Sequence, residues 1–521
     1  MEKKNYIKVF GVVAIILAVF ALFLYAICYV CVEYRDNRSS LSSDIGQESV
    51  TPTADIERGP AAYDVEYELG ETTAAAMRSK WNTYVNSSSE DNVVKIKLTA
   101  DWVAVLDSIG TNIPYIAGSA SARRYVVLDL NGHKIRRSSG TGRLIYASYA
   151  DFTIEDSSGG QGGITSGYTD RYRHGSALYA KDCNITLNDI NISGCSSYGD
   201  MYGNSYGAVY VEGASNFTMN GGSLSNNSVS NYGSCNGIYV YSSLAEASIV
   251  LNGVTFSNNR HLPTTGNLCW LVAENNATVT VSNCTFSGNL GNEKGTYLYC
   301  LLNLRAGKAI NIKGCNFFDN RGCPIWSEKS PTDGAMVEDC EIYNNTNPCA
   351  NGSIGVYTGV TTTTVIRDCN IHDNTGRYSS VFMSGSASNM SIIRTKITNN
   401  TATIANGGIC VVNSTATCNI VDSIITDNRS TATSLSQYNV GGGISWNYTR
   451  PYQTPNITLS GLVKITGNTT YSNQENDIFL NLSNNLLQIV GELDEESEIG
   501  ISASNSIATG TAVTTGYSTY N

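Results

Sequence analysis

A cysteine, a histidine and an aspartate stand together in the hexad CNIHDN, residues 369–374. Thiol, imidazole and carboxylate are the side chains of metal sites and of acid–base centres. Asp373 is followed by Arg377, and further upstream Asp319 is followed by Arg321. Each pair couples an acid with a base. Two carboxyl groups can also cleave a glycosidic bond when they stand about 5–9.5 Å apart. Whether these residues do any such chemistry depends on the elements that hold them.

The hexad belongs to a series. Related hexads are INISGC (190–195), GSLSNN (222–227), VTFSNN (254–259), CTFSGN (284–289), CNFFDN (315–320), CEIYNN (340–345), TKITNN (395–400), SIITDN (423–428) and VKITGN (463–468). Their last residues are spaced 32, 32, 30, 31, 25, 29, 26, 28 and 40 apart. A period this variable excludes strict helical repeats and fits a solenoid with a fixed core and variable loops. The third hexad position is apolar throughout, from Ile192 to Ile465, and is expected to point inward. A second apolar column, from Leu187 to Ile420, lies eight residues before each hexad's end. In the last hexad this column slips, with Leu459 one residue early, so a bulge is expected there. A third strand follows each loop, as in SALYA (176–180), GAVYV (207–211), GIYVY (237–241), IGVYT (354–358), GGICV (407–411) and GGISW (442–446). Three short strands per turn predict an all-β, right-handed parallel β-helix rising about 4.8 Å per rung.

The columns give a structural reading of the reactive residues. His372 occupies the fourth hexad position and points outward by strand alternation. The fifth position holds only Gly, Asn or Asp, the residues that tolerate left-handed backbone. Asp319, Asp373 and Asp427 therefore read as turn formers, as do Asp339, Asp368 and Asp422 just before their hexads. Asn344 stands between Asp319 and Asp373 in this column, which puts the two aspartates about 9.6 Å apart, at the edge of an inverting geometry. The closing Asn recurs in nine of ten hexads and predicts an inner ladder of amides. Cys284, Cys315, Cys340 and Cys369 open four consecutive hexads. Their parallel Cβ vectors aim the sulfurs poorly for disulfides, so a column of buried thiols is expected. No Cys/His spacing resembles a zinc site, and no metal or cofactor is expected.

The net charge is −11, without the Lys/Arg cluster that nucleic acid requires. Residues 1–8 are basic, with Lys3, Lys4 and Lys8, and residues 9–32 form an uncharged apolar run. A helix of that length spans a hydrocarbon core of about 30 Å. The expectation is a single-pass signal anchor with a cytoplasmic N-terminus and the bulk of the chain outside the cell. A cleaved signal peptide is the alternative. Cys28 and Cys31 lie within this run and read as apolar filler. Residues 33–62 read as a linker. Over 71–85, Met77, Trp81, Tyr84 and Val85 share a helical face, with Thr72 or Thr73 as cap. This helix and the alternating segment 92–102 predict an α/β cap over 63–124, followed by the β-helix over 125–521.

The segments KLTADWVA (97–104), VVLDLNGHKI (126–135) and FTIEDSSGGQGGI (152–164) resemble the opening rungs of bacterial surface proteins with pectate-lyase-like right-handed β-helix repeats. The tail from residue 498 to 521 is similar to them too. Such proteins are typical of Firmicutes-like bacteria. The resemblance implies a surface setting and an adhesin-like, glycan-binding or envelope-building role without catalysis. The implied partner is a polysaccharide or a cell-surface glycan. Tyr-rich loops such as YGDMYGNSYG (198–207) suit stacking on sugars. The alternative is a polysaccharide lyase or glycoside hydrolase on the same scaffold. A lyase of this fold implies acids converging on Ca²⁺ beside an Arg or Lys base. Its candidate residues here are Asp319, Arg321, Asp373 and Arg377.

Overall fold

A computed structural model describes residues 63–106, 112–170, 173–199, 207–231, 235–244, 247–261, 269–291, 300–327, 331–348, 355–358, 363–383, 389–411, 416–432, 441–446, 456–480, 487–503 and 512–520. The apolar run 9–32 and the linker 33–62 lie outside the described residues. Among the described residues, no helix is long and apolar enough to cross a membrane.

Short strands with alternating burial build the molecule. Ala277–Ser282 is typical, with every second side chain buried. The strands stack, coil upon coil, into one 16-stranded and two 14-stranded sheets, and their pairings are parallel. The hexad strands form one 14-stranded sheet, the upstream strands the 16-stranded sheet, and the third strands the other. The predicted inward column pairs in register, Ile192 to Leu224, Phe256, Phe286 and Phe317, then Ile342, Ile371, Ile397, Ile425 and Ile465. Every one of these side chains is 0 % exposed. The rings of Phe256, Phe286 and Phe317 stack at 4.7 Å between successive centroids. A single coil cannot enclose such a core, so each depends on its neighbours.

The corners follow from backbone chemistry. All ten fifth-position residues, from Gly194 to Gly467, have φ between +52° and +70°. Gly, Asn and Asp meet that requirement at least cost. The residue before each of the first nine hexads is also left-handed, and in one coil it is Arg394, at φ +46°; before the last hexad the left-handed residue is Gly461, one position further upstream. The displaced last hexad carries one extra corner residue. Ile420 pairs with Leu459, whereas Ile424 pairs with Lys464, and the register shifts again between Leu459 and Gly461.

Inside the corner after each hexad runs the amide ladder. Asn345 is representative and fully buried. Its backbone N–H and its Nδ2 both donate to Asn374 Oδ1 at 3.0 Å, and Nδ2 also donates to the Phe317 carbonyl at 2.8 Å. The pattern runs from Asn227 to Asn468. Cys195 N donates into its first Oδ1 at 2.9 Å, and Asp477 Oδ1 accepts from the last amide at 2.8 Å. Just after the closing Asn, very short strands form two further four-stranded sheets. Strands of two residues, such as Thr346–Asn347, are too short to show a period in sequence.

Helix α1, Ala74–Asn86, packs against the first strands. Thr73 caps it, its side chain accepting from Ala76 N at 3.2 Å. Met77, Trp81 and Val85 are buried, while Tyr84 is half-buried and stacks on Tyr67 at 4.1 Å. Trp81 Nε1 donates to the Tyr115 carbonyl at 3.1 Å. Strands Val65–Leu69, Val94–Leu98 and Trp102–Leu106 belong to the same sheets as the later coils. The stack is therefore continuous through residue 125.

Candidate functional site

Asp319 and Asp373 stand exposed on left-handed corners, at φ +55° and +54°. The strand register places Glu341 between Asn316 and Asn370, so the two aspartates are two coils apart. Asp373 Oδ2 lies 2.6 Å from His372 Nδ1, and its Oδ1 accepts from Asn399 Nδ2. The His372 contact, more than that of Asn399, holds this carboxyl below its ordinary value. Arg377 does not join the cluster. Its backbone N–H donates to Asn347 and its carbonyl accepts from Ile404. Arg321 continues the backbone pairing from Leu290 to Thr346. The two aspartates thus stand on separate coils, with the Glu341 coil between them.

His372 takes part in a short outward row. Its ring stacks on Tyr343 at 5.2 Å, and Tyr343 stacks on Phe318 at 5.3 Å. Its Nε2 lies 3.6 Å from Glu341 Oε2. The ring faces are spent on one another along the axis, which leaves mainly edges for a ligand.

One group of acids comes close enough to suggest a metal. Single carboxylate oxygens of Glu338, Asp339 and Asp368 lie within 4.8 Å of one another. Three cations already answer this charge. Lys313 Nζ is 3.5 Å from Glu338 and 3.7 Å from Asp339. Arg367 donates to Glu338 at 2.7 Å, and Arg394 grips both oxygens of Asp368 at 2.7 and 2.6 Å. Arg394 also holds the Asp368 carboxyl below its ordinary value. The strained corner at Arg394 lets a bidentate ion pair form between coils.

The thiol column is as expected. Cys284, Cys315, Cys340 and Cys369 are free and buried. Their Sγ atoms donate to the carbonyls of Ser282, Lys313, Glu338 and Arg367 at 3.1–3.3 Å. Thr395 and Ser423 continue the column, donating their hydroxyls in the same way at 3.0 and 2.7 Å. Over these six coils, from Cys284 to Ser423, position and donor, more than sulfur, are what the column keeps.

The richest side-chain cluster lies elsewhere, on the outer face of the third-strand sheet. Tyr115, Tyr146, Tyr179, Tyr210 and Tyr239 stack along five coils at 4.5, 5.3, 5.7 and 5.2 Å. Tyr179, Tyr210 and Tyr239 are 7–9 % exposed although they point away from the core. The Arg143 guanidinium lies 3.9 Å from the Tyr179 centroid, and its Nε donates to the His174 carbonyl at 2.8 Å. The His174 ring stacks on Tyr210 at 4.5 Å. Glu212 accepts the Tyr210 hydroxyl at 3.2 Å and the Tyr179 hydroxyl on its other oxygen. Burial, then the charge of Arg143, pushes His174 down to about 4, so the imidazole is neutral near pH 7. Lys181, beside Glu212 in register, is exposed. The repeated tyrosines of SALYA, GAVYV and GIYVY were the visible trace of this row. The partners Arg143, His174 and Glu212 have no signature in spacing. The loop YGDMYGNSYG falls largely outside the described residues.

The family described as a right handed beta helix region matches residues 270–454, in agreement with the parallel solenoid. No curated protein and no solved structure matches the chain. A β-helix repeat protein of this kind fits a surface or carbohydrate-related role.

Proposed function

We propose that the chain is a membrane-anchored, extracellular β-helix surface protein that binds glycan or builds the envelope, without catalysis. Residues 9–32 serve as its single-pass anchor, and its source is a bacterium of Firmicutes type. The observation that carries the reading is the use of the acids. Asp319 and Asp373 form corners two coils apart, and Glu338, Asp339 and Asp368 are met by cations. Hydrolysis asks instead for two carboxyl groups flanking a single bond. The cations beside the tyrosine row, Arg143 over the Tyr179 ring and the exposed Lys181, support binding.

The test incubates the full chain with plant, mucin and bacterial-wall polysaccharides, with and without Ca²⁺. New reducing ends and retention of the protein are both measured. Retention without new ends is the expected result. New ends that disappear in Asp319→Asn or Asp373→Asn would make the protein a carbohydrase and overturn the proposal.

A further inference from the structure

Arg143 is short of anions. Its guanidinium carbon lies 3.9 Å from the Tyr179 ring centroid and 5.9 Å from that of Tyr146. Its Nε is spent on the His174 carbonyl at 2.8 Å. Among the described residues, its Nη1 and Nη2 make no hydrogen bond or ion pair. Glu212, the acid facing it, has both oxygens engaged by the hydroxyls of Tyr179 and Tyr210. Burial, chiefly, pushes the guanidinium below its ordinary value, and the charge of Arg173 adds to this. An incoming anion would relieve both effects. Lys181, one coil away and beside Glu212, adds an exposed ammonium. His174 contributes no charge. A half-buried guanidinium fork with free N–H groups, fixed over an aromatic face, is suited to gripping an oxyanion through two parallel bonds. The chain as a whole carries −11, so this group of cations runs against its general charge.

We propose that the face around Arg143 binds an acidic glycan, with a sugar carboxylate or sulfate held on the free Nη atoms and drawn in by Lys181. This rests on the glycan-binding reading above, and gives it a place and a ligand charge. The oxyanion replaces water at Nη1 and Nη2, and the stacked tyrosines keep the fork aligned. Neutral sugars lack the group that the fork selects.

The experiment measures binding of the full chain at physiological salt to four probes. Hyaluronate and polygalacturonate carry carboxylates, dextran sulfate carries sulfate, and dextran is neutral. Both acidic types, or one of them, should bind, and dextran should not. Binding of one acidic type alone identifies the oxyanion. Arg143→Gln should weaken binding by roughly 10- to 100-fold, the loss of charge-assisted hydrogen bonds. Arg143→Lys keeps the charge but not the fork, and should bind at an intermediate level. Lys181→Glu, at an exposed position outside the packed core, should weaken binding several-fold and lessen its dependence on salt. A thermal melt of each variant separates loss of binding from loss of fold. Acidic binding that is indifferent to Lys181→Glu and to a folded Arg143 variant would overturn the site. Dextran or another neutral glycan bound in preference to acidic ones would overturn the ligand class and leave glycan binding standing. Binding to none of these probes, nor to the wider polysaccharide panel, would overturn the glycan reading as well.

Discussion

Asp156 shows what a single carboxylate does in this fold. It accepts from the backbone N–H groups of Gly132, Ser158, Gly160 and Gly162 at 2.7, 3.3, 3.1 and 2.6 Å, and from the Ser158 hydroxyl at 2.8 Å. Burial works to raise its pKa, but these bonds, led by that from Gly162, outweigh it and lower the carboxyl below the ordinary 3.8. A depressed folded pKa stabilises fully above the unfolded value, and the contribution is lost as pH falls through the folded one. Asp156→Ala should therefore lower stability at neutral pH by about 3 kcal/mol, measured by denaturant titration. The variant should also lose less stability than the parent as pH drops below 3.8. An unchanged acid limb would show that the carboxylate is not anchored as described. The buried thiols make a second case. Burial pushes Cys183 up to about 11 and Cys195, Cys410 and Cys418 up to about 12. Since the thiolate is the reactive form, an alkylating reagent at pH 8 should leave these four unmodified until the chain unfolds. Site-resolved mass spectrometry checks this, and rapid native labelling would contradict it.

At the scale of the element, the amide ladder is the part most dependent on its neighbours. Removing the Asn345 side chain deprives Asn320 N and Nδ2 of their acceptor and the Phe317 carbonyl of its donor. Asn345→Ala should destabilise the protein by about 3 kcal/mol, because buried groups are left unmet. Loss of hydrogen-exchange protection should concentrate in the adjacent coils, since each coil leans mainly on its neighbours. Uniform loss along the whole stack would argue against that local dependence. This ladder, the inward column and the left-handed corners were all legible in the sequence, because each demands one chemical type at one place in every coil. Even the slip at Leu459 showed as a broken column. The side-chain cluster around Arg143 was not legible. Arg143 reaches His174 across 31 residues, a contact that no repeated spacing marks. Arg394 was hidden for a similar reason, since its left-handed corner is stabilised by a partner 26 residues away rather than by its own type.

For the whole molecule, regular register predicts that a complete coil can be removed. Thr346 pairs with Thr375, and Asn345 lies 29 residues before Asn374. Excising residues 346–374 would join Asn345 directly to Thr375, bring Ile342 over Ile397 and leave the ladder unbroken. The shortened chain should retain the far-ultraviolet signature of the parent and melt cooperatively at a lower temperature. Loss of that signature would mean that this coil makes contributions its columns do not reveal.

The ladder also has a direction. Each Asn hands its backbone N–H and one Nδ2 hydrogen forward, to the oxygen of the coil that follows, and its other Nδ2 hydrogen back to a carbonyl of the coil before. A partly assembled stack is thus left, at its advancing end, with donors awaiting an acceptor. The coil made next in the chain supplies it. Assembly then resembles the growth of a crystal on one face, where each layer is the template for the next and is finished only by it. Asp477, whose carboxylate takes the place of an amide, closes the row of amides, and the strands beyond it pair without one.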